Sequence, residues 1–115
     1  MKLYRPVGQK EFDLIEKSGY TEFPPRLDWQ PIFYPVIYED YARQIASEWN
    51  TKVPEYVGYV LEFEVDDEYL SQFQIHTVGT SRHQEYWIPS EELSEFNKHI
   101  SGFIKVINKF VGDKK

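Results

Sequence analysis

Three short stretches carry the side chains that could do chemistry: Arg5 beside Pro6, the aromatic pair Phe33-Tyr34, and the run His83-Gln84-Glu85. An arginine presents a planar fork of donors suited to phosphate, carboxylate or ribose oxygens. An aromatic side chain presents a flat face on which a heteroaromatic ring stacks. A carboxylate beside a reacting centre stabilises developing positive charge or moves a proton. Each group also has a plain structural reading: Arg5 as a solvated or ion-paired residue, Tyr34 as a core or edge aromatic, His83 and Glu85 as solvent-facing strand positions. The acidic run Asp66-Asp67-Glu68 reads as a solvated turn, since a cation loop needs spaced oxygen ligands and a glycine at its bend.

The elements that must position these groups follow from hydrophobic periodicity. Leu3-Tyr4-Arg5 reads as a short strand stopped by Pro6 and Gly8, and Gln9 to Ser18 as a helix with Phe12, Leu14 and Ile15 on its apolar side. Residues 20–31, with Pro24, Pro25 and Pro31, read as a long ordered loop, followed by a short strand Ile32-Phe33-Tyr34. Tyr41, Ala42, Ile45, Ala46 and Trp49 recur at helical spacing, predicting a helix from Asp40 to Trp49. The clearest strand is Val57 to Val65, where Val57, Tyr59, Leu61, Phe63 and Val65 alternate with Gly58, Val60, Glu62 and Glu64. A helical turn over Tyr69–Phe73, an extended run over Gln74–Val78 and a strand over Gln84–Ile88 come next. Alternation along that last strand puts His83, Glu85 and Trp87 on one face. Ser90 is expected to cap a helix through Ile100, ended by Gly102, with a final strand over Phe103–Ile107 before a lysine-rich tail. The order of elements predicts an α+β fold with about three helices, in one domain spanning residues 1–115.

Composition narrows the functional classes. With 41% hydrophobic and 17% aromatic residues, 115 residues suffice for one core. A formal charge of -6 argues against nucleic acid and against anionic membrane surfaces as partners. The chain has no cysteine, which removes thiol nucleophiles and thiolate metal sites, and its three histidines show no close ligand spacing, so no metal is expected. The amino-terminal residues lack the apolar stretch of a secretory signal, and no run approaches the ~20 apolar residues of a membrane span. The expected location is cytoplasmic.

Several of these motifs, in order, resemble the ADP-ribosyltransferase superfamily, in particular the catalytic domains of the cholera toxin and pertussis toxin type. Lys2-Leu3-Tyr4-Arg5, an acidic helix, Ser18-Gly19 and Pro25-Arg26 are similar to that family's opening strand with Tyr-Arg and the helix after it. Phe33-Tyr34 leading into a helix with Ala42 stands where the family runs a strand into a helix. His83-Gln84-Glu85 with Ile88-Pro89 resembles the family's acidic strand, whose second acid is catalytic.

The resemblance implies a split β-sheet with an NAD cleft, Glu85 as the catalytic acid, and Arg5, Tyr34 and His83 as residues binding the dinucleotide. It implies NAD as the substrate and transfer of ADP-ribose to an intracellular acceptor such as a protein. Two departures bear on it. Tyr34-Pro35-Val36 stands where the cholera toxin-like group has Ser-Thr-Ser, removing hydroxyls that order the catalytic acid. His83 stands where the first acid of Glu-x-Glu would be, which argues against arginine as the acceptor. The competing readings are a catalytically inactive module of the same fold that binds a nucleotide or a protein, and an unrelated α+β interaction domain in which the motif matches arise by chance. Convergence of Arg5, Tyr34 and Glu85 on one cleft is the geometric requirement of the first reading.

Overall fold

A computed structural model describes residues 1–112; the lysine-rich tail, residues 113–115, lies outside them. The fold is α+β. In chain order it runs β1 (Lys2–Val7), α1 (Gln9–Lys17), β2 (Ile32–Phe33), α2 (Glu39–Glu48), β3 (Val57–Val65), α3 (Asp67–Leu70), β4 (Ile75–Thr77), β5 (Gln84–Tyr86), β6 (Ile88–Pro89), α4 (Leu93–Lys98) and β7 (Ile100–Val111). Among the described residues, no helix is long and apolar enough to cross a membrane.

The antiparallel order β1-β3-β7 forms the main sheet. Alternation along β3 sends Tyr59, Leu61, Phe63 and Val65 into a large core with Ile15 of α1, Leu93 and Phe96 of α4, and Phe23 and Phe33 of the long loop and β2. The opposite face is smaller: Val60 packs with Val36 and with Ala42 and Ala46 of α2. A sheet covered by α1 and α4 on one face and α2 on the other results. The close seating of α2 depends on Gly58, because a Cβ there would overlap the Ala46 carbonyl.

A second antiparallel ribbon joins the main sheet through one residue. Val36 exchanges both backbone hydrogen bonds with Tyr4, each 2.8 Å, and also bridges to Glu85 of β5. On that side β1 holds its neighbour at Tyr4 alone, and the chain from Ile32 to Phe33 pairs instead with Ile88–Pro89. The ribbon therefore splays away from β1 beyond Tyr4, leaving a fork between Arg5-Pro6 and the ribbon.

Several expected boundaries move for identifiable reasons. The helix expected over 90–100 is a 3-10 turn at Ser90–Glu92 followed by the short α4, and Ser90 makes no side-chain cap. Ile100 pairs with Val65, so β7 begins there and Gly102, at φ 74°, sits inside the strand. The helical turn starts earlier, because the Asp66 carboxylate caps α3 through the Tyr69 amide at 3.2 Å. Leu14 is exposed, the nine-residue α1 burying only the stripe about Ile15, with Phe12 stacked on Tyr59 at 4.0 Å. Trp49 is exposed too. It ends α2 with φ -111° and turns outward, and the buried position beyond it is taken by Thr51.

Candidate functional site

The fork between β1 and the ribbon is a cleft of about 430 Å³, lined from β1 by Arg5 and Pro6, from the ribbon by Tyr34, Val36, Glu85 and Trp87, and from α2 by Ile45. This volume lies in the range of small-molecule sites. A larger hollow of 600 Å³ lies beside Gly8–Glu11 and Pro54-Glu55, so it is the chemistry of the lining that marks the fork. Three of the four residues singled out from the sequence, Arg5, Tyr34 and Glu85, meet here. The fourth, His83, does not line it. His83 lies in an adjacent depression with Tyr41, Gln44 and Trp49, which shares Ile45 with the cleft.

Strand register explains the convergence on the ribbon side. Phe33 faces Ile88 and Val36 faces Glu85, so the same register sets Tyr34 opposite Trp87, and their rings meet edge to face at 6.2 Å. Tyr34 and Val36 are two apart, as are Glu85 and Trp87, which gives all four one face. Glu85 is 9% exposed. Its carboxylate accepts a hydrogen bond from the Trp87 indole N–H at 2.9 Å. The other face of the Trp87 ring is stacked on His76 at 3.8 Å and 9°, and His76 is the cross-strand partner of Glu85.

Arg5 enters from the opposite side. It alternates with Leu3 and Val7 on the core face of β1, and is itself buried. Its guanidinium donates from Nε and Nη2 to the two oxygens of Glu11 at 2.6 and 2.9 Å, and lies 4.5 Å above the Phe33 ring. Arg26 approaches the same carboxylate, with Nη1 3.9 Å from Glu11, and donates to the Ile32 carbonyl at 3.2 Å. Burial, then repulsion from Arg5, hold the Arg26 guanidinium below its ordinary pKa, with Glu11 acting in the other direction. Two cations thus share one carboxylate, and of the three groups Arg5 alone lines the fork. In the adjacent depression, burial and then the Glu85 charge push the Tyr41 phenol above its ordinary value.

The arrangement can stack a planar ring on Tyr34 or Trp87, set a carboxylate against a cationic centre, and place an anionic group beside Arg5. Trp87, Glu11 and Arg26 were not singled out as site residues by sequence reasoning. For Trp87 the signal existed, since strand alternation puts it on Glu85's face; it is 40% exposed. For Glu11 no local signal exists, because its partner lies on another element.

Comparison of the chain with known protein families, with curated proteins and with solved structures returns no match.

Proposed function

We propose that this protein is an ADP-ribosyltransferase-like protein that binds NAD in the fork and transfers ADP-ribose to an acceptor. The single observation that carries the reading is the convergence of Arg5, Tyr34 and Glu85 on one cleft, reached from motifs separated by most of the chain. In this reading the nicotinamide ring stacks on the exposed aromatics Tyr34 and Trp87, and Arg5 faces the phosphate and ribose oxygens. The bond between nicotinamide and ribose C1′ breaks, its electron pair leaving on the ring nitrogen, so the pyridinium departs neutral. The Glu85 carboxylate stabilises the oxocarbenium left on the ribose, and the acceptor's nucleophile bonds to C1′ and passes its proton to that carboxylate or to water.

A second reading, an inactive module of the same fold, has its own support. Arg5 already spends two donors on Glu11, and Pro35 leaves no hydroxyl beside the acid. One experiment tests both: NAD titration with nicotinamide release, comparing the wild type with Glu85→Gln. The transferase reading expects release that falls at least ~100-fold in the variant while the thermal midpoint stays within a few degrees. Binding without release selects the inactive module. Absence of binding overturns both.

A further inference from the structure

Beside the cleft, across Ile45, lies a second depression of about 400 Å³ between α2 and the turn that precedes β5. Its walls are flat. Tyr41 and His83 stack at 4.4 Å with 17° between their planes, and Trp49 is 70% exposed. The imidazole is held deliberately by its surroundings: its Nε2 meets Gln44 Oε1 at 3.2 Å, and a Cβ at Gly79 would overlap its Nδ1. That bond takes one lone pair of Gln44 Oε1, leaving the second lone pair and the Nε2 donors for an incoming ring edge.

We infer that this depression is a nucleobase subsite, taking the purine of a mononucleotide with its face against Trp49 and the Tyr41–His83 wall and its edge on Gln44. Base stacking on aromatic side chains tolerates any base, while a glutamine amide matches the donor–acceptor edge of adenine. The rim carries charge of both signs. Arg82 is tied to Asp40 at 3.1 and 3.2 Å, Arg43 is tied to Glu39 at 2.9 Å, and Glu48 lies on the same helix. Such a rim tolerates one phosphate and disfavours a polyanionic strand. The shared Ile45 allows two sources for the base: a free mononucleotide acting as a second ligand, or the far end of a dinucleotide whose other end occupies the cleft. The subsite itself does not require the transferase reading; only the dinucleotide source rests on it.

The test follows the indole N–H resonances of the three tryptophans, assigned by single Trp→Phe variants, as adenosine 5′-monophosphate and then NAD are added to the whole protein. The subsite expects the monophosphate to move the Trp49 resonance and leave Trp29 still. Gln44→Ala should weaken this binding about tenfold. Gly79→Ala, which displaces the imidazole without touching the ligand, should weaken it as well. If both ligands bind together, the monophosphate is a separate ligand. If NAD moves Trp49 and Trp87 together and the monophosphate competes with it, the base belongs to the dinucleotide. A Trp49 signal that moves while NAD leaves Trp87 still sinks the cleft reading and keeps the subsite. A Trp49 signal unmoved at millimolar monophosphate, or moved equally in both variants, overturns the subsite.

Discussion

The indole N–H of Trp87 donates to Oε1 of Glu85 at 2.9 Å, from two residues further along the same face of the ribbon. A hydrogen bond to a charged carboxylate is stronger than one between neutral groups and is directional. Here it fixes an acid that would otherwise rotate about its own side chain at the mouth of the cleft. The donor is itself fixed, because its ring is stacked on His76 and set perpendicular to that of Tyr34. Under the transferase proposal, the indole takes the ordering role that hydroxyls have in the cholera toxin-like pattern, which Tyr34-Pro35-Val36 does not offer.

Trp87→Phe separates the hydrogen bond from the stacking. The phenyl ring keeps its place on His76, so the stability loss should be that of leaving the buried Glu85 carboxylate without its donor, about 1–3 kcal/mol. Under the transferase proposal, the lost donor should lower kcat for nicotinamide release about tenfold, with KM within twofold. Steady-state kinetics on the two proteins checks this, and equal kcat values would remove Trp87 from any positioning role. Trp87→Ala should cost less than the ~3–5 kcal/mol of a core aromatic, since the ring is half exposed.

Arg5 makes a different kind of contribution. Its guanidinium is 7% exposed and shares two bonds with Glu11, so Arg5→Met leaves a carboxylate facing Arg26 alone at 3.9 Å. Removing one partner of a buried pair commonly costs ~3–5 kcal/mol, and with Arg26 remaining about 3 kcal/mol is expected. Glu11→Gln in the same background should recover part of that loss, giving a coupling of about 2 kcal/mol in a double-mutant cycle by urea unfolding. Additive losses would show that the pair contributes through packing alone.

Much of this architecture was legible in the chain. Alternation from Val57 to Val65 and helical spacing at Ala42, Ile45 and Ala46 announce the central strand and the helix on it, because each pattern reports one buried face. What was hidden is non-local. Nothing around Val36 says that one residue will bridge two strands, Tyr4 and Glu85, yet that bridge creates the fork. His83 and Glu85 share a face by alternation, but His83 belongs to the turn closed by its own amide on the Thr80 carbonyl at 2.9 Å. It therefore faces the neighbouring depression. Trp49 fits the helical stripe by spacing and leaves it by backbone geometry, a change that only the packing of Asn50 and Thr51 dictates.

Gly58→Ala tests how α2 is seated. The added methyl would meet the Ala46 carbonyl, a backbone group that yields only if the helix moves. A loss of about 3 kcal/mol is expected. Since Ile45, next to Ala46, lines both the cleft and the depression beside it, ligand binding at both should weaken together. Chemical unfolding and titration of the folded variant give the two readouts; a loss under ~1 kcal/mol would mean that α2 has room to spare.

Alkaline pH should expose the buried phenol of Tyr69. It donates to Glu92 at 2.8 Å and stacks on His99 at 3.9 Å, and burial, then the bond to Glu92, raise it above the ordinary value of 10.0. The fold thus favours the protonated form, so this contribution to stability is complete below pH 10 and is lost as pH rises through the higher folded value. The thermal midpoint of the wild type should fall above pH 10. Tyr69→Phe, which cannot ionise, should start from a lower midpoint, having lost the bond to Glu92, and fall less steeply over the same interval. Thermal unfolding across that pH range, with ultraviolet titration of phenolate in both proteins, makes the comparison. Parallel slopes would assign the alkaline loss to other tyrosines, of which Tyr4, Tyr41 and Tyr86 are also raised by burial.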